Sequence, residues 1–156
     1  MDYQKDDTMP TERIEDYLEA LNVIIKKKGY AKVKDISLML QVSPPSVTEM
    51  FQRLQKQGYI NYEKYSGVTL TEKGVKVAEK TQKKHVIICS FLETLGVPHD
   101  IANDDACRIE HIIHPKTLSY MEKFVSFIDL HEESLSFLTT FKQYYKTDSL
   151  KNKTQR

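Results

Sequence analysis

"VSPPSVTEMFQRLQKQGYINYEKYSGVTLTEKG", residues 42–74, decides the fold. Ser43 suits a helix N-cap, and Pro44 suits the first helical position, where a missing N–H costs no hydrogen bond. Val47, Met50, Phe51 and Leu54 then fall on one helical stripe. Ser46, Thr48, Glu49, Gln52, Arg53 and Lys56 fall on the opposite side, and Gly58 stops the helix. The following "YINYEKYSGVTLT" alternates β-branched and aromatic residues with polar ones around Ser66-Gly67, the pattern of a β-hairpin.

Upstream, Ile14, Tyr17, Leu18, Leu21, Ile24 and Ile25 predict an amphipathic helix over 11–28. Thr11 is its candidate N-cap, and Gly29 its stop. A second, shorter helix is predicted from Val33, Ile36 and Leu38–Leu40. Two helices joined by a short turn, the second polar on its outer side, make a helix-turn-helix, and a hairpin directly after it is a wing. The polar face carrying Ser43, Pro44, Ser46, Thr48, Glu49, Gln52 and Arg53 has the chemistry to enter a DNA major groove. Lys64 and Tyr65 in the wing are placed to touch phosphates. A winged helix used only for protein contacts is the alternative.

Downstream, Thr71 caps a long helix that runs to Gly96, and helices are expected at about 100–113, 116–130 and 132–146. The Lys-rich end, 147–156, reads as a disordered tail.

The net charge of +1 hides an asymmetry: Lys26 to Lys84 holds 13 Lys and Arg against five acids, a local +8, so the flanks carry −7. A basic middle favours a nucleic-acid-facing surface. No apolar run is long enough to span a bilayer, so no membrane partner is expected. The acidic N-terminus lacks the apolar core of a signal peptide, and two cysteines make no disulfide framework; a cytoplasmic location is expected.

"DACRIEHIIHP", residues 105–115, places Cys107, Glu110 and His111 at i, i+3 and i+4 of a predicted helix. Asp16 and Glu19 lie three apart on the first helix, and His85 lies on the long one. Carboxylate, imidazole and thiolate at helical spacing are what a metal site between helices needs. Taken singly, each has a plainer reading: Asp16 and Glu19 as a solvated face, His85 as a hydrogen-bonded histidine, Cys89 as a small core hydrophobe, His114 as a surface residue between helices. A Cys107–His111 nucleophile-base pair would need an oxyanion hole, and none of the five glycines lies beside Cys107, so no enzyme is expected.

The stretches "EDYLEAL", "GYAKVKDIS", the 42–74 segment, His85 and "DACRIEH" resemble the diphtheria-toxin-repressor family of metal-dependent regulators over about residues 11–130, nearest in length to the manganese transport regulators. The resemblance implies that Asp16, Glu19, His85, Cys107, Glu110 and His111 are metal ligands. Asp16 matches an aspartate of the manganese branch, which is methionine in the iron type; Glu19 and His85 match that branch's further ligands. Glu110 and His111 match a pair shared by both branches, and Cys107 stands where the manganese branch has glutamate and the iron type cysteine. Asn103 and Cys89 depart from the histidine and glutamate of the iron-type ancillary site. The site is thus a hybrid, for which the resemblance implies Mn²⁺ as cofactor, with Fe²⁺ the alternative and Zn²⁺ a ligand in vitro.

The expected fold class is mainly α: an N-terminal winged helix-turn-helix with a two-stranded wing (1–76), then an all-helical metal-binding and dimerisation domain (77–146). The implied function is a homodimeric, metal-responsive transcriptional repressor of metal-uptake genes acting on a double-stranded DNA operator, with no small organic ligand. A winged-helix regulator without a metal switch is the other reading.

Overall fold

The computed structural model describes residues 10–63, 66–131 and 133–154. The chain forms two compact units, 1–82 and 83–156. The boundary falls a few residues later than the 76/77 junction expected from sequence, inside one continuous helix.

In the first unit, α1 spans Glu12–Lys28, α2 Val33–Leu40 and α3 Pro44–Lys56. Glu12 and Glu15 sit in the first turn of α1 and Lys26, Lys27 and Lys28 in its last, each sign opposite the adjacent end of the dipole. Gly29 ends the helix at φ +82, its N–H donating to the Ile25 carbonyl, a conformation that favours glycine. Thr11 holds the N-cap position, but its side chain makes no capping hydrogen bond. At α3 the cap does form: Ser43 Oγ accepts from the Ser46 N–H at 3.4 Å, with Pro44 at the first helical position.

The wing is an antiparallel pair, β1 (Ile60–Glu63) and β2 (Gly67–Leu70), registered Ile60 to Leu70 and Glu63 to Gly67. Gly67 therefore opens β2, on the far side of the turn from Glu63. Its φ is +100, and a Cβ there would stand 2.9 Å from Tyr30 Cδ2 and 3.0 Å from the Ala31 carbonyl oxygen. Ala31 in turn bridges Val68. Lys64 and Tyr65, the wing-tip residues singled out in the sequence, lie outside the described residues.

α4 runs from Glu72 to Leu95. Thr71 caps it as expected: its Oγ1 accepts from the Gly74 N–H at 3.2 Å and donates to the Gly58 carbonyl at 2.7 Å. Phe51, Leu18, Leu21, Ile36, Leu54 and Val68 anchor a core closed to solvent, into which every element of this unit sends side chains.

The second unit contains the rest of α4 with α5 (His99–Ile109), α6 (Pro115–Leu130) and α7 (Glu133–Thr154). Its core is smaller: Ile88, Cys89, Ala102 and Ala106, with Leu92, Val97, Ile109, Ile113, Leu118 and Met121 packed against them. α5 stops at Ile109, short of the 113 predicted. The ladder tightens to an i→i+3 bond at Ile112, and Pro115 holds His114 extended (φ −70, ψ 137). His114 is exposed, as expected, and caps α6 by accepting the Lys116 N–H at 3.1 Å. α7 continues to Thr154, well past 146, over residues expected to be a disordered tail; no glycine or proline interrupts them.

Candidate metal centre and nucleic-acid interface

α5 ends within "DACRIEHIIHP". Cys107 is helical, whereas Glu110 is the C-cap and His111 lies in the turn beyond. Glu110 keeps right-handed helical backbone (φ −58, ψ −28), and the three are gathered around His85. Glu110 is 2% exposed and accepts at Oε2 from His85 Nδ1 at 2.9 Å, while His111 Nε2 lies 3.5 Å from Oε1. Cys107 Sγ is 3.7 Å from the same His85 Nδ1, on an otherwise exposed residue. The second unit thus brings together four of the six predicted ligands.

A carboxylate so nearly dry needs positive charge or donors around it. Nitrogen, oxygen and sulfur donors around a buried acid fit a divalent transition metal. Two residues outside the predicted ligand set help to hold the cluster. Lys84 Nζ donates to the Glu110 backbone carbonyl at 3.0 Å, fixing the turn that presents the carboxylate. Asn103 Oδ1 lies 3.2 Å from His85 Nε2 and orients the ring. Sequence reasoning noted Asn103 only as a departure from a ligand pattern; its part as a hydrogen-bond partner depends on a contact eighteen residues away in the chain.

In the first unit, Asp16 and Glu19 sit three apart on α1, both half-buried, beside the stripe of Ile14, Tyr17, Leu18 and Leu21 that enters the core.

The outer face of α3 leaves Ser43, Pro44, Glu49, Gln52 and Arg53 exposed, with Ser46 and Thr48 half-buried. Ser43 and Ser46 hydroxyls are bonded to each other at 2.9 Å, and Thr48 Oγ1 donates to the Pro44 carbonyl at 3.1 Å. The hydroxyl groups therefore offer mainly acceptor capacity, while Gln52 and Arg53 carry the donors. Arg13 of α1, missed in the sequence, lines a hollow with Ser46, Glu49, Met50 and Arg53, adding a second guanidinium to this face. Its place at the edge of the apolar stripe of α1 was readable; its neighbour was not.

A winged helix-turn-helix joined to a helical unit whose buried acid gathers imidazoles and a thiol defines a DNA-binding regulator that responds to metal, not an enzyme. Residues 9–68 match the family described as iron dependent repressor, N-terminal DNA binding domain, and residues 71–138 match its metal binding and dimerisation domain. The chain belongs to the iron-dependent repressor family, whose members bind DNA and dimerise through the C-terminal domain.

Among its relatives is the HTH-type transcriptional regulator MntR of Listeria welshimeri, 38% identical over 130 residues, covering 83% of this chain and 92% of that protein. The MntR of Lysinibacillus sphaericus is 45% identical over 103 residues, covering 66% of this chain and 74% of its own length. Among solved structures, the manganese regulator SloR superposes with a TM-score of 0.64 at 27% identity over 77% of this chain, which spans 55% of the SloR chain. The apo form of the manganese-activated repressor ScaR gives 0.61 at 29% identity, covering 70% of this chain and 53% of the other. Among the described residues, no helix is long and apolar enough to cross a membrane.

Proposed function

We propose that the chain is a Mn²⁺-activated repressor of metal-uptake genes, acting in the cytoplasm as a homodimer on a double-stranded DNA operator, with no organic effector. The observation that carries this reading is the buried Glu110 carboxylate, with His85, His111 and Cys107 around it. In the proposal these four are the C-terminal ligands, and Asp16 and Glu19 are the ligands contributed by α1. The relatives named MntR, and the solved manganese regulators, support Mn²⁺ as the ion.

When bound, the ion supplies positive charge that offsets the buried carboxylates. The rest is done by this chain's own groups. Asn103 Oδ1 pairs with His85 Nε2 and orients the ring so that Nδ1 faces Glu110 and Cys107; that nitrogen would give up its proton to serve as a ligand. Lys84 holds the Glu110 backbone in place. Ordering these groups before DNA arrives raises affinity for it by removing an entropic cost of binding. Ser43, Pro44, Ser46, Thr48, Glu49, Gln52 and Arg53 then read or position the operator, with Lys64 and Tyr65 on its phosphates.

Cys107 favours Fe²⁺ as the second reading, since a thiol beside His85 softens the site. Fluorescence anisotropy of a labelled uptake-gene promoter decides, with protein titrated in chelator and then with Mn²⁺, anaerobic Fe²⁺ or Zn²⁺. Tight binding with Mn²⁺ alone supports the proposal, and tight binding with Fe²⁺ alone selects the second reading. Equal binding in chelator leaves a winged-helix DNA binder without a metal switch.

A further inference from the structure

One turn beyond His85, α4 presents Cys89, and one turn further Glu93, on the same face. α4 ends at Leu95 in a sharp corner. Gly96 turns at φ +99, its N–H donating to the Glu93 carbonyl at 2.9 Å, and the Val97 N–H donates to the Leu92 carbonyl at 3.0 Å. α5 begins two residues later at His99, so the corner folds this imidazole back over α4, with Nδ1 against Glu93 Oε1. The Cys89 sulfur, a Glu93 carboxylate oxygen and a His99 ring nitrogen all lie within 4.8 Å of one another. None of the three is a ligand of the centre described above.

We propose that Cys89, Glu93 and His99 form a second divalent-cation site, one that takes Zn²⁺ in preference to Mn²⁺. One sulfur, one nitrogen and one oxygen donor match the three-ligand, open-position geometry of zinc, whereas Mn²⁺ favours oxygen-rich sets. Metal–ligand bonds of about 2.0–2.3 Å put donors roughly 3–4 Å apart around the ion. The present separations, all within 4.8 Å, lie near that range. Cys89 is 8% exposed and rooted in the core, so its sulfur is the fixed point. His99 is mostly exposed and supplies the entry side. Cys89 binds as thiolate, and its proton leaves to solvent as the metal–sulfur bond forms. An ion here ties the end of α4 to the start of α5, the helix that carries Asn103 and Cys107.

The test uses the full chain, stripped of metal, with Zn²⁺ titrated against a chromophoric chelator and Co²⁺ as the spectroscopic probe. A Cys107→Ser background removes the other thiol. In it, Co²⁺ should give thiolate-to-cobalt charge-transfer absorption that adding His99→Ala or Cys89→Ser abolishes. Each of these should also lower Zn²⁺ stoichiometry by one ion per chain. His99→Ala alters an exposed side chain, and its metal-free circular dichroism should match the parent. Absence of the band in the Cys107→Ser protein overturns the proposal. So does a band or a zinc stoichiometry that His99→Ala leaves unchanged. None of these readouts depends on DNA binding, so failure of the repressor reading would show separately.

Discussion

The two units solve the problem of burial differently. In the first, Tyr17, Leu18, Phe51 and Leu54 from α1 and α3 meet Val68 of the wing in a core with almost no solvent contact. In the second, two of the four buried core residues are alanines, while Phe127, Leu130, Leu135 and Phe137 stand more than half exposed. Apolar surface on that scale marks an interaction face, in keeping with a dimerisation domain. Phe127 of α6 is on this surface. Ile128 is buried within the chain, and Phe91 and Phe124 pack edge to face at 5.5 Å. The first unit is stabilised by its own interior, and the second holds a buried charged cluster and leaves its largest apolar side chains for a partner.

The largest effect should come from Phe51→Ala. Emptying a fully buried aromatic site costs about 3–5 kcal/mol, read by urea unfolding. The loss should be the same at low and high protein concentration, and concentration dependence would break the contrast drawn here. Phe127→Asp should do the reverse: little change in the monomer, but a dimer weakened by about 2 kcal/mol or more, seen by sedimentation velocity. An unshifted monomer–dimer equilibrium would mean that this face is not the interface.

Asn103→Ala sharpens the account of the metal centre. Loss of the group orienting His85 should weaken Mn²⁺ binding about 10–100-fold in a chelator competition, with the fold retained. An unchanged affinity would show that the His85 ring is held by other contacts. The smallest effect is expected at Asp35, whose Oδ2 accepts the Lys32 N–H at the start of α2 and whose Oδ1 accepts from Lys28 Nζ. Asp35→Ala should cost about 1 kcal/mol in thermal unfolding. The Lys28 hydrogen bond, then the Lys32 N–H, hold this carboxyl below the usual aspartate range. Its contribution is therefore complete above the ordinary value of 3.8 and fades as pH falls through the lower folded-state value. Wild type and Asp35→Ala should converge in stability in strong acid, and a gap that widened there would contradict this assignment.

Much of the first unit was legible because its signals are local. A Ser-Pro start, a glycine stop and an apolar stripe act within a few residues, and α2, α3 and the wing strands appear where those signals put them. The candidate metal centre was legible as a set of residue types but not as an arrangement. Helical spacing placed Cys107, Glu110 and His111 near one another, but not beside His85 and Asn103 of other turns, and α5 closes with Glu110 as its C-cap. Termination there reflects Pro115 downstream and the Lys84 contact to the Glu110 carbonyl, and the second of these is a tertiary interaction. The Cys89 reading shows the same limit. Periodicity identified a core cysteine, which it is, but the approach of His99 depends on how the Gly96 corner folds α5 back on α4.

By itself, then, the sequence determined the class of fold, the positions of most helix starts and stops, and the inventory of donors a metal could use, because these follow from backbone preferences and short-range periodicity. Only the tertiary structure decided which donors meet: that Glu110 is dry, that His85 lies between it and Asn103, and that Glu93 and His99 close on Cys89. Those contacts join residues from six to twenty-five positions apart, across helix ends and turns. Their distances are set by packing and chain reversal, which local propensity does not encode.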